Sequence, residues 1–192
     1  MSLTTTDLNH ETRPSGVTFT VEPVPPLRKI WIGFALAFAY LVAEVFYSET
    51  GRSPGAALVM IAAAIAGWMY WLSCVQRFHT ILRQISPHVD GAPTYPITSG
   101  QAVGYHFIPF LNLAWLFKWP MTMARFLREN SSVRMMSGFV LGLLVFCGLV
   151  MRIFDGFLGL SWIFLVTLYI SRKLQQAVAE HESLRTAADV FS

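Results

Sequence analysis

Few residues in this chain have side chains able to do chemistry, and most of them lie within or beside apolar runs. Glu44 is the only acid between Ile30 and Tyr47. A carboxylate inside such a run is a functional candidate, because a charge is expensive in hydrocarbon. It also lies close to the end of the run, where headgroups or Arg52 can satisfy it without any further role. His106, Asn112 and Lys118 fall in one stretch, Gly104 to Pro120, with Arg77, Arg83, Arg125 and Arg128 on the flanking segments. Together they would line a basic pocket suited to an anionic lipid headgroup or a small anion. The plainer reading of the same residues is that Asn112 repairs the backbone opened by Pro109, His106 is an interfacial donor, and the arginines fix topology.

Other chemistries find no support in the spacing. Histidines 10, 79, 88, 106 and 181 form no H-x-x-x-H or H-x-x-E-H pair, so no metal site is expected. There is no nucleophile elbow, P-loop or dinucleotide fingerprint, and no cofactor is expected. Thr98-Ser99-Gly100 reads as a helix start. Cys74 and Cys147 sit in or beside apolar runs and read as reduced, packed thiols. Arg152 and Asp155 flank a turn and suggest an ion pair.

The elements that must hold these residues are membrane helices. Of 192 residues, 54% are hydrophobic and 13% charged, whereas a soluble domain carries about 25% charged residues. The fold expected is an all-α membrane protein with four transmembrane helices. Residues 1–29 form a polar, proline-containing arm without a signal peptide, expected to be cytoplasmic and disordered. Spans are expected at about 30–47, 56–74, 135–153 and 157–171. The second continues as an amphipathic extension through Phe78, Ile81, Leu82 and Ile85. Between the second and third spans lies a broken element, 102–130, interrupted at Pro109 and restarting as a short helix at Pro120. Gly138-x-x-x-Gly142 is a helix-contact motif that serves either the bundle or a dimer. Residues 172–192 read as a cytoplasmic helical tail, with a weak coiled-coil seam at Ile170, Leu174, Ala177, His181, Leu184 and Ala188.

Positive charge decides whether the broken element crosses. Basic residues near span ends stay on the cytoplasmic side. With the arm inside and the element not crossing, twelve basic residues lie inside and only Arg52 and Arg152 outside. If it crosses, the count becomes six inside and eight outside. The element is therefore expected to be interfacial or re-entrant on the inner face. Tyr105, Phe107, Phe110, Trp115, Phe117 and Trp119 suit the headgroup boundary.

The phrase P-x-x-x-x-x-A-V-G-x-x-F-I-P-x-x-N-L-x-W, carried by Pro96, Ala102, Val103, Gly104, Phe107, Ile108, Pro109, Asn112, Leu113 and Trp115, resembles a segment of uncharacterised bacterial multi-pass membrane proteins. The resemblance covers about a quarter of the chain, counting Tyr70 to Arg83. It implies a bacterial cytoplasmic (inner) membrane protein with both termini cytoplasmic, and it implies no activity.

The expected function is that of a non-enzymatic accessory, sensor or scaffold module, binding a partner protein or anionic membrane lipid at its cytoplasmic face. A homo-oligomer fits as well, and nucleic acid does not. The alternative is a small oligomeric transporter, channel or intramembrane enzyme using Glu44, His106 and Asn112.

Overall fold

The computed structural model describes residues 17–18, 24–89 and 92–190. Most of the arm expected over 1–29, and the Asp90-Gly91 turn, lie outside the described residues. Among the described residues the fold is helical apart from three two-residue strands. Val17–Thr18 (β1) pairs antiparallel with His88–Val89 (β2), which pairs with Ala92–Pro93 (β3).

Helix α1, Ile30–Glu49, is apolar except for Glu44 until its last two residues, and is bounded by Lys29 and Thr50. Gly51 and Arg52 then take left-handed backbone, with φ of 65° and 61°, and reverse the chain. Glycine adopts this region freely and arginine does not. The Ser53 hydroxyl accepts the Ala56 N–H at 3.3 Å, and Pro54 occupies the first turn. Helix α2, Pro54–Gln84, runs 31 residues without a break, roughly 46 Å at 1.5 Å per residue. It continues beyond Cys74 as the amphipathic pattern requires, with Val75, Phe78, His79 and Leu82 buried.

Helix α3, Ser99–Gly104, starts on a full capping box. The Gln101 N–H donates to the Thr98 hydroxyl, and the Thr98 N–H donates to the Gln101 amide oxygen. A 3-10 turn follows over Tyr105–Phe107. The chain breaks at Ile108-Pro109-Phe110, where Phe110 has φ 62°.

Helix α4, Leu111–Asn130, corrects one expectation: it passes through Pro120 and does not restart there. The proline leaves the Leu116 carbonyl without its helical donor. Helix α5, Gly138–Phe154, packs closely against α4 at this point. A methyl group at Gly142 would come within 3.0 Å of the Leu116 oxygen, and one at Gly138 within 2.6 Å of the Pro120 oxygen. The glycine motif thus lets α5 close on α4 around Pro120 within the same chain.

Asp155 turns the chain into helix α6, Gly156–Val190. Here too an expectation is corrected: among the described residues Asp155 makes no ion pair with Arg152. The Asp155 carboxylate accepts the Leu158 N–H at 2.8 Å and caps α6. The Arg152 Nη2 donates to the Ala64 carbonyl at 3.1 Å, and the guanidinium lies 5.6 Å from the Trp68 ring centre. The suspected coiled-coil seam is spent inside the chain as far as Ala177. Ile170, Leu174 and Ala177 are buried, while Leu184 is exposed.

Among the described residues three helices are long and apolar enough to cross a membrane, over Ile30–Glu49, Pro54–Gln84 and Gly156–Leu184; α5 is apolar but shorter, at 17 residues. The core lies where α2, α4, α5 and α6 meet, around Trp71, Phe78, Trp119, Met123, Leu141, Leu160 and Phe164.

Candidate functional site

The charged and polar residues singled out from the sequence separate into two sets. On α4, Lys118, Met121, Arg125 and Arg128 are all exposed. Their spacing of 3, 4 and 3 places them along one stripe of the helix. Trp115, Leu116, Trp119, Met123, Phe126 and Leu127 cover the opposite face and are buried. The division is that of an amphipathic helix lying against a bundle. Arg77 and Arg83 are half-buried on the extension of α2.

His106 is not part of that stripe. It is buried edge-on against Trp71, with ring centres 5.2 Å apart, and among the described residues neither ring nitrogen has a hydrogen-bond partner. Burial pushes its pKa down to about 4, offset in part by the nearby Ala102 and Val103 carbonyls. Asn112 is half-buried, and its Oδ1 is likewise unpartnered. The bond across the break at Pro109 is made by the Asn112 backbone, whose N–H donates to the Ile108 carbonyl at 3.0 Å. His106, Asn112 and Lys118 therefore occupy buried, half-buried and exposed positions respectively and do not converge on one surface.

Glu44 is half-buried on the far half of α1. The Tyr70 hydroxyl donates to the Lys29 carbonyl at 2.8 Å, which places the start of α1 beside Tyr70, and the neighbouring Trp71 meets His106. His106 thus lies level with the start of α1. Glu44 is fourteen residues further along that helix, about 20 Å away.

Sequence reasoning missed a buried polar pair beneath the stripe. The Tyr95 hydroxyl is 2.7 Å from His79 Nδ1, and both residues are fully buried. The His79 ring also meets the edge of Trp119, and Tyr95 packs on Phe126 with ring centres 5.0 Å apart. Burial pushes the Tyr95 phenol well above its ordinary range. The signal for His79 was present: it lies four residues after Val75 and three before Leu82, on the apolar face of the extension. Tyr95, in a loop, offered no such period. The pair joins α2 to the segment entering α3, and the Trp115 Nε1–H donates to the Ala102 carbonyl at 3.2 Å to fix α4 on α3.

Two basic grooves complete this end of the molecule. One, of about 590 Å³, lies between residues 24–31 and α6, with Arg28, Lys29 and Arg172 on its rim and Leu27, Ile30, Leu168 and Val178 along its walls. The other, of about 430 Å³, is flanked by Arg128 and Arg134 beside Ser131 and Ser132. Arg28, Lys29 and Arg172 entered the sequence reading only as topology markers. Their convergence depends on contact between the start of α1 and α6, which no local pattern encodes. Among the described residues no three histidine, cysteine or acidic side chains are placed to hold a metal.

No family model, curated protein or solved structure matches the chain.

Proposed function

We propose that the chain is a four-pass protein of the bacterial inner membrane with both termini in the cytoplasm, acting as a non-enzymatic accessory or scaffold module that docks anionic lipid or a partner protein on its cytoplasmic face. The observation that carries the reading is the α4 stripe. Three cations and a methionine point outward from a helix whose other face is locked into the core. Such a surface suits anionic headgroups or an acidic partner segment.

The break preceding α4 supports an inner-face position. Phe107, Ile108, Phe110, Leu111 and Leu113 are exposed around it, Phe110 by 95%. These side chains suit the boundary between the inner leaflet and its headgroups. The element then dips into the inner leaflet and returns. The cations of α4, the 131–134 link and the start of the tail remain in the headgroup layer or in water.

Full-length protein in nanodiscs tests the reading. Charge reversal of Lys118, Arg125 and Arg128 to glutamate is expected to lower binding to vesicles containing anionic phospholipid, or capture of a partner from native membranes, by at least tenfold. Unchanged binding in both assays would reject this surface.

A further inference from the structure

The groove between residues 24–31 and α6 is separate from the α4 stripe, since none of its lining residues belongs to α4. At about 590 Å³ it has the size of a small-molecule site. Its two walls run antiparallel. Gly33 of α1 packs on the Phe164 ring, and Gly156 of α6 packs on the Tyr40 ring, so each step back along α1 is a step forward along α6. By that register Ile30 and Trp31 stand near Leu168. Arg28 and Arg172 lie about one turn further towards the cytoplasm, with Lys29 between. Apolar side chains therefore come first from the bilayer side, and three cations follow at the depth of the headgroups. A phospholipid standing in its leaflet has the complementary order.

Arg28, Lys29 and Arg172 are exposed, and among the described residues none of the three side chains has a hydrogen-bond acceptor or an acid partner. Positive-inside placement accounts for cations at this depth, but it asks for no concave apolar wall between them. The start of α1 adds to the positive field. Lys29 at its N-cap offers no side-chain acceptor to the first amides, and those belong to Ile30 and Trp31 on the groove wall. The acid on the lining, Glu182, lies ten residues beyond Arg172 on α6, about 15 Å along the helix. That is well beyond the screening length of about 8 Å at physiological salt, so the membrane end of the groove keeps its positive charge.

We propose that this groove holds one anionic phospholipid of the inner leaflet, its phosphate among Arg28, Lys29 and Arg172 and its acyl chains descending past Ile30, Trp31 and Leu168. Basic pockets between spans on the cytoplasmic side suit such headgroups, and a guanidinium fork matches phosphate geometry. A free anion would leave the apolar wall uncovered, including Trp31, which is 65% exposed; an acyl chain covers it. The choice of leaflet rests on the four-pass layout proposed above, while the site itself is independent of the α4 stripe.

Native mass spectrometry of full-length protein from nanodiscs of mixed phosphatidylglycerol and phosphatidylcholine reads the occupant. Wild type is expected to retain one phosphatidylglycerol. Arg172→Gln should weaken its retention about fivefold, and Arg28→Gln combined with Lys29→Gln about twentyfold, while Arg172→Lys should keep it. Charge reversal of Lys118, Arg125 and Arg128 should leave this lipid in place, so failure of the α4 surface and failure of the groove are read separately. Unchanged retention in the groove variants, or equal retention of phosphatidylcholine, would overturn the proposal. So would inorganic phosphate or glycerol phosphate held as firmly by delipidated protein, which would make the site one for a soluble anion. A second protein chain retained in place of lipid would make it an interface instead.

Thermal melts separate binding from folding. Arg172→Gln is expected to melt with wild type in phosphatidylcholine alone and below it once phosphatidylglycerol is present, because a ligand stabilises only the state that binds it. An equal deficit in both lipids would assign Arg172 to stability and refute its role in the site. Resistance of Ser53→Cys to an impermeant maleimide in intact cells would refute the layout, and with it the inner leaflet, whatever the lipid counts.

Discussion

Replacing Gly138 with alanine tests the packing of α4 on α5 at its tightest point. A β-carbon at Gly138 would overlap the Met121 Cα and lie 2.6 Å from the Pro120 oxygen and 2.7 Å from the Met121 nitrogen. All three are backbone atoms of α4, so no side-chain rotation makes room. The helices must separate by several tenths of an ångström at least, opening the contact that covers the carbonyl freed by Pro120. Overpacking of this kind costs about 1–3 kcal/mol. The gain in helix propensity from glycine to alanine, about 0.5–1 kcal/mol in a helix interior, is smaller at Gly138 because it begins its helix. Gly104→Ala is the matched control, since nothing lies within 4 Å of its added methyl group, and it should leave stability unchanged or raise it by up to about 1 kcal/mol. Equilibrium unfolding in mixed micelles, followed by tryptophan fluorescence, separates the two. The expected difference between the variants is at least 1 kcal/mol, or about fivefold in the folded-to-unfolded ratio. Equal stabilities would refute the close approach of α5 to α4.

Three further outcomes follow from the buried polar groups and the caps. His106 is held neutral, with its pKa lowered from an ordinary 6.5 to about 4. The unfolded chain therefore binds a proton first as pH falls, and stability is full above 6.5 and lost progressively towards 4. The loss between pH 7.5 and pH 5 is roughly 2 kcal/mol, and thermal melts of His106→Phe should be flatter over that range. Tyr95→Phe leaves His79 Nδ1 buried without its partner and should cost about 1–3 kcal/mol in the same unfolding assay. Thr98→Ala removes the capping box of α3 and should cost about 1 kcal/mol; Thr98→Ser should recover most of it.

What could be read from the sequence divides by range of interaction. The apolar runs located α1, α2, α5 and α6 because hydropathy is written residue by residue. The cap at Thr98 was local and legible. The continuation of α2 beyond Cys74 followed from the spacing of Phe78, Ile81 and Leu82. Pro120 misled because the support for a helix running through it comes from Gly138 and Gly142, some twenty residues away. Arg152 misled for a related reason: its neighbour in sequence is an acid, but its partner in space is a carbonyl of α2. At the candidate site, the cations of α4 were named from the sequence, but the stripe they share with Met121 was not, because the helix was expected to restart at Pro120. The burial of His106 and its separation from Lys118 were not, because both depend on how α3 docks against Trp71. The packing of α6 on the α1–α2 hairpin lies outside local pattern, since it depends on Gly33, Gly67 and Gly156 meeting side chains of other helices.

Cysteine labelling of intact cells measures directly on which side of the membrane the broken element and the tail sit. In a background lacking Cys74 and Cys147, single cysteines at Ser131 and Ser183 are predicted to resist an impermeant maleimide until the inner membrane is permeabilised, while Ser53→Cys reacts at once. Labelling of Ser131→Cys or Ser183→Cys in unbroken cells would contradict the four-pass layout and remove the inner-face surface with it.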